Sequence, residues 1–403
     1  MGQDQAFSDT PTSPPTMSNP HTAPSSTNPM APSAADTASS SFQFDGRFHV
    51  LPADRTRLAK LHLVHSNYVP AQVDRHLNNI LMNEAGHMWL SASTLSGRYW
   101  TGSLWYYVTP PQNETVKPEL SLTGTDTDHG ITHILPYGSD DKQVLIGLDN
   151  GSLELHSLGF SESAQDEKKP SYYYLDRVGT FQEHDDIVSG LVYTSGRSQI
   201  VSASHDKNLV LWDPSSLAKL GEITNAHRDL ILDLAAHPKE SHTLASASLD
   251  GRVPIWDIRE KKLAQVVYKD ENHVPCAVQF VPDEDHFMVV GSRSGQLILL
   301  DTRKADSPLS AHTASFSEQI HQINFRSSSS GHTFAASADS NVLKIFGISP
   351  NSDLVVQKAN KKHTDFVRGM AWLTKSDKDD SSCDIPTLLS CGWDQKICWT
   401  QLD

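Results

Sequence analysis

Cysteine is scarce in this chain. Four residues in 403, Cys276, Cys383, Cys391 and Cys398, include no CxxC pair, so no zinc site of that kind can be read. So few thiols also suit a reducing, intracellular setting, in which the sequon at Asn113 carries no meaning. No basic segment followed by an apolar run opens the sequence, so no signal peptide is expected. No apolar run approaches the roughly 18 residues of a membrane helix. Basic residues are outnumbered 33 to 48, giving a net charge of −15, and they form no dense block. Direct contact with nucleic acid needs a basic patch to neutralise phosphates, and is therefore not expected. An acidic chain suits a basic partner through long-range attraction, and it also stays soluble. The P-loop, GxSxG and HExxH patterns are missing too. "EHDD" (183–186) is an ordinary loop rather than a metal site. No catalytic residue, metal or cofactor is expected.

Residues 1–45 hold 22 Ser, Thr or Pro and no Lys or Arg. Such a leader buries too little apolar surface to offset its ordering entropy, and disorder is expected there. After it come short alternating apolar runs bounded by Gly, Asn, Asp and Ser, without a sustained helical period. That is an all-β pattern.

The runs repeat. "IVSASHDKNLVLWD" (200–213) aligns with "LASASLDGRVPIWD" (244–257), then with "VVGSRSGQLILLD" (289–301) and "FAASADSNVLKIF" (334–346). Asp206, Asp250, Ser294 and Asp339 hold the matching turn position, about 44 residues apart, which is the period of WD repeats. Each unit opens on a His-containing loop and an apolar strand, and seven units can be counted. Residues 71–403 therefore resemble a seven-bladed WD-repeat β-propeller. In that family a loop His, a strand Ser, a turn Asp and a strand Trp form a hydrogen-bonded chain within the blade. Here the matching sets are His184, Ser202, Asp206, Trp212 and His227, Ser246, Asp250, Trp256. His, Ser and Asp together could suggest a catalytic triad, but an active site does not recur in successive repeats. The expected role is structural, fixing one blade geometry.

The last unit stops after its third strand, and an unpaired edge invites aggregation. The 46–70 segment, whose "RLAKLHLVHS" (57–66) alternates Leu with polar residues, is expected to close it.

The repeat is violated most clearly in the first unit. Eleven positions separate Ser93 from Leu104, where five separate Ser204 from Leu209, an apparent gain of six. The stretch Leu95, Ser96, Gly97, Arg98, Tyr99 and Trp100 thus reads as an extended hairpin tip. Arg, Tyr and Trp are the residue types that dominate binding hot spots. If the tip is wholly exposed, Trp100→Ala should leave stability unchanged.

"SASTLSGRYWTGSLW" (91–105), "EHDDIVS" (183–189), "HTDFVRGMAW" (363–372) and "GWDQKI" (392–397) resemble the methylosome WD-repeat proteins. The resemblance implies a non-catalytic partner of the type II, symmetric-dimethylating protein arginine methyltransferase. It implies docking through the first blade with Arg98 and Trp100 as anchors, a hetero-octamer, Arg-rich histone and Sm-protein substrates, and a cytoplasmic and nuclear location. The leader and the "KSDKDDSSCD" loop (375–384) fall outside that pattern. A competing class is the substrate receptor of a cullin-type ubiquitin ligase, in which Asp-x-Arg follows the Trp-Asp strand. Asp257 with Arg259, and Asp301 with Arg303, match it, although a salt bridge closing the strand explains both pairs.

Overall fold

The computed structural model describes residues 70–402 apart from 71, 84, 97–98, 162–170, 305–308, 313–314, 327–331 and 374–385. The leader, the 57–66 stretch and the 375–384 loop therefore lie outside the described residues.

Seven four-stranded antiparallel sheets succeed one another. Their inner strands begin at His76, Ile131, Val188, Ile231, Pro275, Ile320 and Val367. Each inner strand packs on the next, and the seventh packs on the first, closing a ring. Among the described residues the only helical turns are short 3-10 segments, Pro118–Leu120 and Ser195–Arg197.

The alternation of a strand explains how the blades stack. Along Ile200–Ser204 and Leu209–Trp212 every residue is buried. Ile200, Val210 and Trp212 join the cluster shared with blade 2, whereas Val201, Ala203, Leu209 and Leu211 join the one shared with blade 4. Successive side chains point to opposite faces, so one strand feeds two cores. Each of the seven blade junctions has its own apolar cluster.

One further device recurs in all seven blades. The inner strand carries a bulge after its first paired residue in six blades and after its second, Leu77, in blade 1. A bulge takes one residue out of the ladder, and that residue is then free to bond elsewhere. Asn78 Nδ2 donates to Ile131 O at 3.1 Å, and Thr132 Oγ1 donates to Val188 O at 2.7 Å. In both cases the acceptor is the first residue of the next inner strand.

Blade 7 takes its outer strand from blade 1. Glu114–Thr115 pairs with Lys396 and Ile397. It belongs to the interval between the third and outer strands of blade 1, Tyr99–Tyr107 and Thr123–Thr127. Val116 N donates to Gln395 O at 2.8 Å, and its side chain is buried with Leu389 and Ile397. Trp399 N donates to Asn113 Oδ1 at 3.0 Å, so the sequon asparagine has an internal role, and Trp399 Nε1 donates to Pro111 O at 2.8 Å. Further along this edge Lys358 Nζ caps Gln401 O and Lys362 Nζ caps Trp399 O. Lysines over an edge discourage pairing with another chain.

Candidate functional site: the hairpin end of the propeller

The start of each inner strand and the end of each second strand lie together, because those residues pair. His76 faces Ser93, Ile320 faces Ala338, and Val367 faces Gly392. The His loops, the Asp turns and the blade 1 hairpin thus occupy one end of the ring.

Both full tetrads assemble there. His184 Nδ1 lies 2.8 Å from Asp206 Oδ2 and its Nε2 lies 2.8 Å from Ser202 Oγ, which accepts the Trp212 indole N–H at 2.9 Å. The second set repeats this: His227 to Asp250 at 3.0 Å and to Ser246 at 2.7 Å, with Trp256 donating to Ser246 at 2.9 Å. Because the ionised carboxylate can only accept, Nδ1–H donates to it, and in the neutral ring Nε2 then accepts from the hydroxyl, which itself accepts the indole N–H. Burial would raise the Asp250 pKa, but hydrogen bonds from His227 and Arg252 outweigh it and hold the group ionised.

Sequence reasoning missed a third set in blade 7. His363 Nδ1 lies 2.9 Å from Asp394 Oδ1 and Nε2 lies 2.9 Å from Ser390 Oγ. His363 stands four residues before its inner strand, as His184 and His227 do, and Asp394 follows Trp393 in the turn. Thr400 replaces the tryptophan, and that loss hid the pattern.

The blade 1 hairpin differs from expectation in form. Its strands, Met88–Ser96 and Tyr99–Tyr107, pair without interruption from Met88 with Tyr107 to Ser96 with Tyr99. The inserted residues lengthen the ladder rather than the turn, and only Gly97 and Arg98 connect the strands. Those two lie outside the described residues, as do the side chains of Ser96 and Tyr99. Ser103 pairs with Ala92 as Leu209 pairs with Ala203, so nine residues separate Ser93 from Ser103 against four between Ser204 and Leu209. The extension is five residues, not six.

Leu95 and Trp100 face each other across the last full rungs, 53% and 37% exposed. The remainder of Trp100 is packed. Its ring meets His76 edge-on at 5.4 Å, and its Cβ sits so near Gly130 that a side chain there would come within 3.1 Å. Gly130 is what lets the hairpin lie against blade 2. Trp100 is therefore anchored in its own protein and offers one apolar side outward.

The Asp-x-Arg pairs are closed on themselves. Arg259 donates through Nη2 to Asp257 Oδ2 at 2.7 Å and through Nε to Oδ1 at 3.2 Å; Arg303 does the same to Asp301 at 2.7 and 2.9 Å. The Arg259 hydrogen bonds pull Asp257 down to about 2, and those of Arg303 do the same for Asp301.

Residues 175–213 match the WD domain, G-beta repeat, and residues 224–373 match the family described as Nucleolar protein 10-like, N-terminal domain. Methylosome protein WDR77 of Xenopus laevis is 28% identical over 331 residues, covering 81% of this chain and 90% of that protein. The chain is a WD-repeat propeller related to the methylosome protein. THO complex subunit 3 of Arabidopsis thaliana reaches 30% identity, but only over 36% of this chain and 44% of its own length. Among solved structures, a chain of the mitotic checkpoint complex aligns with a TM-score of 0.59 at 16% identity, covering 83% of this chain and 94% of that one. The RRP9 WD40 repeats give the same score and identity, covering 81% and 94%. Likeness at that identity shows the fold. The methylosome relationship supports a WD-repeat scaffold and does not favour the ligase reading.

Proposed function

We propose that this protein is a non-catalytic scaffold that binds and activates a type II protein arginine methyltransferase through the blade 1 hairpin. In this reading it helps to present Arg-rich substrates such as histones and Sm proteins, within a hetero-octamer, in both cytoplasm and nucleus. The observation that carries the proposal is the similarity to a methylosome protein along 90% of that protein's length. The lengthened ladder, with Leu95 facing Trp100 near its end, supports docking at this hairpin. Apolar and aromatic anchors of this kind concentrate binding energy. The net charge of −15 suits Arg-rich substrates.

The test is co-expression with the type II methyltransferase of the same organism, followed by native mass measurement and a histone H4 methylation assay. A complex of defined mass with raised symmetric dimethylation is expected. Two separate species and unchanged activity would refute the proposal.

A further inference from the structure

A second cluster lies at the same end of the ring and is not accounted for by the tetrads or by the hairpin. In blade 6 the register gives the turn position of the tetrad aspartates to Ser340 rather than Asp339, because Ile320 faces Ala338, and the residue four before the inner strand is Phe316 rather than His. Asp339, one residue before that position, lies 3.0 Å from Arg368 Nη1 of the neighbouring blade. Arg368 is the bulged residue of the blade 7 inner strand.

The guanidinium is held on several sides. It lies 4.7 Å from the Trp393 ring centroid and 5.4 Å from that of Phe366. Nη1 donates to His321 Nδ1 at 3.1 Å. His321 Nδ1 is the acceptor there, since a guanidinium can only donate. Asp339 Oδ1 reaches ion-pair distance but makes no aligned hydrogen bond, and Arg368 Nε is buried with no acceptor among the described residues. A guanidinium matches a carboxylate through two parallel N–H bonds. Here Nε makes no such bond, and aromatic rings flank the group.

The cluster is continuous with the hairpin. Trp100 meets His76 at 5.4 Å, His76 meets Trp393 at 4.6 Å, and Trp393 carries Arg368. Buried His76 Nδ1 likewise lacks a partner among the described residues.

We infer that the docking surface runs from Trp100 across His76 and Trp393 to Arg368, and that Arg368 receives an acidic side chain of the partner there. The occupant is a loop of the methyltransferase that brings an apolar residue to Trp100 and a carboxylate to Arg368, so this inference rests on the proposed function. Until it arrives, Asp339 serves as an imperfect internal counter-charge.

Two variants act in opposite directions. Arg368→Gln removes the charged fork, and methyltransferase affinity should fall about tenfold or more, with weaker salt dependence. Asp339→Asn removes the competing carboxylate, and affinity should rise roughly threefold to tenfold, a gain that misfolding cannot mimic. Thermal melts of both variants, with Trp100→Ala alongside, complete the set. If Trp100→Ala weakens binding while folded Arg368→Gln binds normally, or if Asp339→Asn brings no gain, the inference is wrong and the proposed function stands. If wild-type protein binds no methyltransferase, both are wrong.

Discussion

Replacing Trp100 by Ala should weaken methyltransferase binding and also lower the stability of the free propeller, in amounts that follow from how the residue is seated. Of a tryptophan side chain's roughly 250 Å², 37% is exposed, leaving about 90 Å² for a partner to cover. At about 25 cal/mol per Å² that amounts to about 2 kcal/mol, or roughly thirtyfold in affinity. The packed part, which includes the edge-on contact with His76, is lost from the free protein as well. A fully buried Trp→Ala change costs about 3–5 kcal/mol, and a side chain about two-thirds covered should cost about 2–3 kcal/mol. In a domain of this size that lowers the melting temperature by about 3–4 °C. An exposed tip predicts a melting temperature within about 1–2 °C of wild type and a core Trp100 a loss of about 3–5 kcal/mol; the contact with His76 puts the residue between the two. Leu95→Glu separates the two effects: Leu95 is 53% exposed, so its replacement should spare the melt and still weaken binding. Calorimetric melts and titration calorimetry on both variants decide the matter. Normal affinity in folded Leu95→Glu and Trp100→Ala would show that the tip is not a docking element.

Other outcomes follow from the blades. Asp250→Ala leaves buried His227 without its acceptor and should cost about 1–3 kcal/mol; loss of partner binding without loss of stability would contradict a structural tetrad. Burial lowers the His363 pKa, but the hydrogen bonds and charges of Asp394 and Cys398 together outweigh it and lift the group to about 9. Since the folded pKa lies above the ordinary imidazole value, that stabilisation is complete below about pH 6.5. It should fade by about 3 kcal/mol as the pH rises to 9; urea titrations at both ends, wild type against Asp394→Asn, test it, and equal losses would refute it. Val116→Asp buries a charge where blade 7 closes and should cost about 3 kcal/mol or more; an unchanged melt would mean the closure is dispensable. Asp257→Ala with Arg259→Ala removes a solvent-screened pair and should leave the melt unchanged without affecting methyltransferase binding, which a pull-down can check.

The fold was legible because its signals are local and repeated. The Ser, Asp and Trp of blades 3 and 4 lie at fixed offsets, and the alternation of Ile200 to Ser204 declares a strand buried on both faces. Blade 7 hid its His363 set because Thr400 stands where a tryptophan was sought. Glu114–Thr115 was illegible for a different reason: two residues carry no periodicity, and their partners lie far along the chain. Only the unusual interval from Tyr107 to Thr123, with Pro110, Pro111 and Pro118, hinted that the segment serves something other than its own blade. The Arg368 cluster needs three blades to exist, so no single repeat displays it.

The borrowed outer strand of blade 7 bears on the order in which the protein is made. Asn113 and its partner Trp399 are separated by 286 positions, so the ring closes only through a very long loop. Such contacts form late and slow the approach to the native state. On the ribosome, Glu114–Thr115 emerges early and must wait, with Val116 uncovered, for the last blade to be synthesised. Synthesis runs at about 5–20 residues per second, so the wait lasts on the order of 15–60 seconds. During that interval the nascent chain has an open first blade and an apolar residue without its pocket, which is the state a chaperone would recognise.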